Sequence, residues 1–261
     1  MRKRPTLEIV RDVLFALVLR EMQTRLGARR MGWFWILFES AAHIAIMMLI
    51  FSTIHGRDVP GMEYSVFLLT GLVPFFLMRN IALKLMDAVN ANRALFAYPN
   101  IRPFDTFVAR TIVEFCLMAC VYLLIAGFMA LWLDIDVSIH RPLEWIASLS
   151  TGIILSFGLG LIFCVIAEVM PNAKTVIRLI FWPLYFVSGI IFPIWAIPSQ
   201  YMSWLLWNPY LHIFDNVRSA TFAHFPHTEG ISYLYPLEVA IITLFLGISL
   251  YWVRRRELLA I

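Results

Sequence analysis

Apolar and polar positions along this chain fall into long blocks, not into the short alternations of a sheet. Nearly uninterrupted apolar runs cover residues 33–54, 64–83, 106–133, 145–167, 179–193 and 232–253. A helix rising 1.5 Å per residue crosses a hydrocarbon core of about 30 Å in roughly 20 residues, and these runs predict six transmembrane spans. Ahead of the first, residues 7–18 put Ile9, Val10, Val13, Leu14 and Leu17 on one helical face, with Glu8, Arg11 and Asp12 roughly opposite. That pattern predicts a helix lying along the membrane interface. Phe15, Val18 and Leu19 spill onto its polar side, so it is also expected to pack on protein. Within the spans, Pro74 should kink the second and Pro183 stands near the start of the fifth. Gly152, Ser156 and Gly160, four apart in the fourth, form a small-residue stripe that lets another helix come close.

Two connecting stretches break the pattern. Residues 88–105 (AVNANRALFAYPNIRPFD) alternate polar and aromatic positions and are closed by Pro99 and Pro103. A short helix ended by prolines, too polar for lipid, suits docking onto a soluble partner. Residues 192–223 are rich in Trp and Tyr but cut by Pro193, Pro198 and Pro209. They predict two short helices dipping into the outer leaflet, then an amphipathic helix near 211–222. Such a broken backbone survives at membrane depth only where protein or water covers it. The expected fold is an all-α integral membrane protein with an N-terminal interfacial helix, six transmembrane helices and re-entrant short helices between spans five and six. Its parts are an interfacial helix with a basic collar (1–32), the six-span transmembrane domain (33–253) and a tail (254–261).

Composition agrees, since 61% hydrophobic and 15% charged residues over 261 positions are too apolar for a soluble domain. The net charge of +4 would admit nucleic acid, but 18 of the 21 Lys and Arg fall in alternate inter-span intervals. This is the positive-inside asymmetry, and it explains the charge with no nucleic acid. Arg20, Arg25, Arg29 and Arg30 precede the first span directly, Trp33 and Trp35 mark the headgroup layer, and Arg254 to Arg256 follow the last span. Both termini are therefore expected in the cytoplasm. No cleavable signal pattern stands out, so the mature chain should begin near Met1. Cys116, Cys120 and Cys164 fall inside spans and read as packing residues.

Candidate chemistry is sparse. No lysine follows a glycine in Walker A spacing, so the chain is not expected to hydrolyse ATP alone, and no cofactor is expected in it. Neither a G-x-S-x-G elbow nor an H-E-x-x-H helix occurs. His224 and His227 read as loop residues, and no metal site is expected. Glu39, Glu114 and Glu238 are intramembrane acids and so functional candidates. Glu39 with His43, and Arg110 with Glu114, are each four apart and read equally as self-neutralising pairs. Trp182, Tyr185, Tyr201, Trp204 and Trp207 read either as an interfacial aromatic belt or as a track along which sugar rings slide.

The runs LREMQTRLGARRMGWFWILFESAAH, ANRALFAYPNIRPFDTFVAR, PLYFVSGIIFPIWAIPSQY and LLWNPYLHIFD resemble the transmembrane permease of bacterial capsular polysaccharide ABC exporters, in order and spacing over nearly the whole chain. The resemblance implies an inner-membrane homodimer bound to two ATP-binding cassette subunits. It implies ATPase docking by the N-terminal helix at residues 6–26 and by the loop holding Asn92, Arg93, Leu95, Phe96, Tyr98, Pro99, Arg102 and Pro103. Re-entrant helices over 193–210 would sit near the outer channel mouth. The implied cargo is an acidic lipid-linked polysaccharide, and the implied further partners are a periplasmic co-polymerase and an outer-membrane polysaccharide channel. On this reading the substrate path includes Trp182, Tyr185, Tyr201, Trp204, Trp207 and Tyr210. A collar of Arg25, Arg29 and Arg30 would receive the anionic head, although the positive-inside rule already accounts for these arginines. The competing function is a proton-coupled secondary transporter using Glu39, Glu114 or Glu238, favoured by the matching places of Pro74 and Pro183 in two three-span halves. A structural anchor without transport is the weakest alternative.

Overall fold

The computed structural model describes residues 6–26, 32–55, 62–98, 101–226 and 228–259, and every regular element among them is helical. In chain order these are α1 (Thr6–Leu26), α2 (Gly32–His55), α3 (Tyr64–Met86), α4 (Ala88–Asn92), α5 (Pro103–Trp132), α6 (Pro142–Val169), α7 (Ala173–Val187), α8 (Ser199–Leu205), α9 (Pro209–Thr221) and α10 (Leu234–Leu259), with short 3-10 turns at Arg93–Ala97 and Ile194–Ala196. Two prolines that the sequence offered as breakers, Pro103 and Pro209, begin helices instead, as Pro142 does. Pro103, Pro142 and Pro209 open α5, α6 and α9, where the missing N–H would have had no partner.

Helix α3 is the pillar. It is mostly apolar, buried over most of its length between Tyr64 and Met86, and continuous through Pro74. Helices α5, α6 and α9 pack around it, and α10 packs along α6. The predicted stripe on α6 faces this pillar and α9. A Cβ on Gly152 would run into Met78, one on Gly160 would meet Leu85, and Ser156 hydrogen-bonds Tyr210 at 2.9 Å. A second small-residue contact escaped the sequence reading. A Cβ on Gly158 would lie 2.6 Å from the Leu244 backbone nitrogen, and one on Gly247 would lie 2.7 Å from the Gly158 carbonyl. Backbones of α6 and α10 therefore touch. Large apolar side chains on the outer faces stay exposed, among them Leu123, Leu131, Ile180, Ile241 and Phe245, as lipid-facing residues do.

Helices α3, α5, α6 and α10 are long and apolar enough to cross a membrane among the described residues. Helix α2 has 24 residues, but only part of its side chains is described. The fifth predicted span is displaced: α7 covers Ala173–Val187, not 179–193, and its 15 residues are too short to cross alone. It stops at Val187 because Gly189 takes a left-handed conformation (φ 67°), the usual helix terminator. The tail boundary at 253 also falls inside a helix, since α10 runs on through Arg254 to Arg256.

Replacing Gly158 with leucine should lower the melting temperature of the detergent-solubilised protein, at a cost on the order of 1–3 kcal/mol for overpacking. Gly127→Ala, where a new Cβ meets nothing within 4 Å, should raise it slightly through helix propensity. Thermal unfolding of both variants checks the opposite signs.

Candidate functional site

The end of the bundle that carries α1 and α4 is organised by charge. Glu21 and Arg25 on α1 meet Arg110 and Glu114 on α5, and the four cross-pair. Arg25 bonds Glu114 at 2.5 Å and Glu21 at 3.0 Å. Arg110 stands 3.3 Å from Glu21, its Nε–H not aimed at the oxygen, and donates to the Lys84 carbonyl at 2.7 Å. The expected pairing of Arg110 with Glu114 along one helix is therefore replaced by a latch between two helices. Glu114 is only 2% exposed, so water cannot stand in for a lost partner. Arg25, expected in a substrate collar, is committed to these carboxylates. Arg29 and Arg30 lie outside the described residues, as does the side chain of Glu39. Glu238 is exposed on α10.

Next to this latch, α4 and the 3-10 turn are held from both sides. Arg20 of α1 donates to Asn92 at 2.8 Å. On the other side Asp87 pairs with Lys174 (3.0 Å) and Arg178 (2.8 Å) of α7, while Glu168 of α6 accepts from Asn90 (2.6 Å) and lies 3.7 Å from Arg93. Burial pushes the Asp87 carboxyl upward, but Lys174 and Arg178 outweigh it and hold it below the usual carboxylate range. The pair therefore persists at neutral pH and weakens only as the pH falls through that depressed value. Of the predicted docking residues, Tyr98 is 63% exposed and Arg93 and Arg102 are exposed, whereas Leu95 and Phe96 are half-buried. Asn92 and Pro103 are buried and structural, and Pro99 lies outside the described residues. A groove of about 790 Å³ runs beside this segment, between Phe96, Tyr98 and Phe104 and the last turns of α10 at Tyr251, Trp252 and Arg255. The last turns of α10 thus share an end with α1 and α4.

The other notable region is the break after α7. Ending a helix inside an apolar bundle frees carbonyls, and each needs a donor. Arg218 of α9, 1% exposed, donates to the Gly189 carbonyl at 2.6 Å and the Ile190 carbonyl at 2.7 Å, and its guanidinium stacks 3.6 Å above the Phe67 ring. Tyr64 donates to the Ile191 carbonyl at 2.8 Å. Asn208 caps α9 by accepting from the Tyr210 N–H and donates to Ser188. His212 accepts from the Ser232 N–H at Nδ1, so Nε2 carries the proton and donates to the Leu206 carbonyl at 2.8 Å. Gly71 leaves room on α3, where a Cβ would run into the guanidinium. The helix predicted as amphipathic lies in the interior: α9 is buried from Tyr210 to Arg218.

The predicted aromatic path divides. Trp182, Tyr201, Trp204 and Trp207 are exposed and Tyr185 is half-buried. Tyr210 is withdrawn from the path, because it is buried and bonded to Ser156. Sequence reasoning missed Arg218, Tyr64 and His212. The one signal available was an arginine and a histidine inside a region predicted to lie at membrane depth.

A family model described as ABC-2 type transporter matches residues 12–222. The polysialic acid transport protein KpsM of Escherichia coli is 37% identical over 257 residues, 98% of each chain. The capsule polysaccharide export inner-membrane protein BexB of Haemophilus influenzae is 25% identical over 244 residues, 92% of this chain and 91% of the relative. The capsule polysaccharide export inner-membrane protein CtrC of Neisseria meningitidis is 27% identical over 223 residues, 83% of this chain and 82% of the relative.

Removing one partner of a buried pair leaves the other charge uncompensated, at a cost of about 3–5 kcal/mol, whereas removing both is often neutral. Arg25→Met and Glu114→Leu should each loosen α1, read as faster amide exchange along 6–26. The double variant, which leaves Glu21 with Arg110, should be less perturbed than either.

Proposed function

Because the chain belongs to the ABC-2 type transporter family, we propose that it is the permease of an ATP-driven exporter that moves capsular polysaccharide across the bacterial inner membrane. The observation that carries this reading is the co-linear match, along 98% of the chain, to a polysaccharide transport protein, with further relatives named for capsule export. ATP and magnesium are handled by a separate ATPase subunit. The permease forms a homodimer with two such subunits, and α2 and α7 complete six spans, with α7 prolonged by the 3-10 turn and α8 dipping into the outer leaflet. Both termini lie in the cytoplasm. The position of α1, the α4 segment and the last turns of α10 at one end, together with the basic bias of the sequence, supports that orientation. The cargo is an acidic lipid-linked polysaccharide, handed to a periplasmic co-polymerase and an outer-membrane channel.

The geometry suggests how force enters. A partner pressing on the exposed turn at 93–98 moves Asp87 and Asn90, and through Lys174, Arg178 and Glu168 it moves α7 and α6. Helix α7 carries Trp182 and Tyr185. The reading as a proton-coupled carrier gains nothing from Glu114, whose carboxylate is held by Arg25.

Tyr98→Asp should reduce co-purification of the ATPase, since it puts a charge into the proposed contact without disturbing the core. Asp87→Asn should leave the ATPase bound while lowering export several-fold, because it cuts the link to α7. Glycan export by reconstituted vesicles, with and without ATPase, checks both. Export driven by a proton gradient with no ATPase present would overturn the reading.

A further inference from the structure

A second groove, of about 220 Å³, opens between α2, α3 and α7. Its walls are aromatic and already locked by mutual contact. Phe75 and Tyr185 lie 5.2 Å apart, and the His43 ring meets Phe76 edge-on at 5.2 Å. Trp182 forms one side and is 65% exposed, so its indole face is open. Arg79 lines the same groove. It stands seven residues before the end of α3, about 10 Å along the helix at 1.5 Å per residue. Every other interior arginine met so far, at 25, 110 and 218, is held by carboxylates or carbonyls. Arg79 makes no hydrogen bond or ion pair with any described residue, and no acid lines the groove among the described residues.

A half-buried guanidinium without a partner is costly, and a ligand that supplies an oxyanion removes that cost. The aromatic walls specify the rest of such a ligand, since flat rings bind the C–H face of a sugar by contact alone and do not fix it in register. The size is instructive as well. Clefts that enclose a whole drug-sized molecule span roughly 300–1,000 Å³, so this groove fits a single ring of a passing chain. We propose that the groove is a subsite for one acidic sugar residue of the cargo. Arg79 donates to its carboxylate, His43 donates from the rim, and Trp182 and Tyr185 bracket the ring. Arg79 thereby selects for anionic polysaccharide, while the aromatic walls allow each residue to move on. The proposal rests on the exporter reading above and adds to it a specificity determinant that α7 motion can open or close.

The test uses the permease–ATPase complex in nanodiscs of zwitterionic lipid. Binding of oligosialic acid and of a glucuronate-containing oligosaccharide is measured by calorimetry, each against its carboxyl-reduced form. The wild type should prefer the acidic forms. Arg79→Gln should weaken acidic binding about tenfold or more and leave the reduced forms unchanged, as expected for loss of a charge-assisted hydrogen bond. Arg79→Lys should fall between, and Trp182→Ala should weaken both forms alike. Equal binding of acidic and reduced glycans by the wild type overturns the proposal, as does an unchanged preference in Arg79→Gln. If anionic phospholipid in the nanodisc abolishes acidic binding, the site takes a headgroup phosphate and the proposal also fails. An equal deficit in Glu39→Gln, not deepened in the double variant with Arg79→Gln, would assign Arg79 to an internal pair and overturn it. Failure of the exporter reading looks different, because the wild-type complex would then export no glycan at all.

Discussion

A helix that stops inside an apolar bundle must find donors for its last carbonyls, and the architecture at the far end of this protein follows from how that need is met. Helix α7 ends at Gly189, and the carbonyls of residues 189–191 point into the interior, where the guanidinium of Arg218 and the hydroxyl of Tyr64 reach them. For Arg218 to do this, α9 has to lie inside the bundle, α3 must present a glycine at 71, and a ring at Phe67 must face the cation. A buried arginine is ordinarily expensive. Here the cost of its desolvation and that of the freed carbonyls offset each other, so neither the break nor the cation is stable without the other.

At the opposite end the same logic runs through side chains alone. Two acids and two bases between α1 and α5 sum to zero charge, and the acids at 87 and 168 meet bases at 174, 178 and 93. These contacts tie the exposed turn to α1 on one flank and to α6 and α7 on the other. Helix α7 is therefore clamped at both ends, by Asp87 at its start and by the Arg218-covered break at its finish. Helices α3, α6 and α10, pressed together through Gly152, Gly158, Gly160 and Gly247, form the stiff body against which it can move. A displacement applied to the turn has few ways to dissipate before it reaches α7.

Long apolar runs made most helices legible in the sequence: 33–54, 64–83, 106–133, 145–167 and 232–253 each coincide with a helix to within a few residues at most ends. The loop at 88–105 was legible too, because its prolines and polar residues cannot continue a span. Most of what failed did so because periodicity reports local burial and not the identity of the neighbour. Arg110 and Glu114 satisfy the i,i+4 rule, yet Glu21 and Arg25 from a helix far earlier in the chain capture both. Tyr210 looks like its exposed aromatic neighbours Trp204 and Trp207, and only the depth of α9 separates them. The start of α7 was set by the Pro171 turn rather than by hydropathy, since Lys174 and Arg178 sit in its polar first turns facing Asp87.

Arg218 also shows where a count of charges misleads. By position it falls among the three cations outside the rich intervals, yet it lies within α9 and not in a loop, and cannot report on topology. Removing it from the tally strengthens the asymmetry, since the cation-poor connections then hold only Arg57 and Arg141. A rule about translocation cost applies to residues that must stay in water or cross lipid, not to those folded into the protein once their helix is in place. An interior basic residue in a chain of this kind is thus better read as a donor in search of carbonyls or carboxylates, and the nearest break in a helix is the first place to look for them.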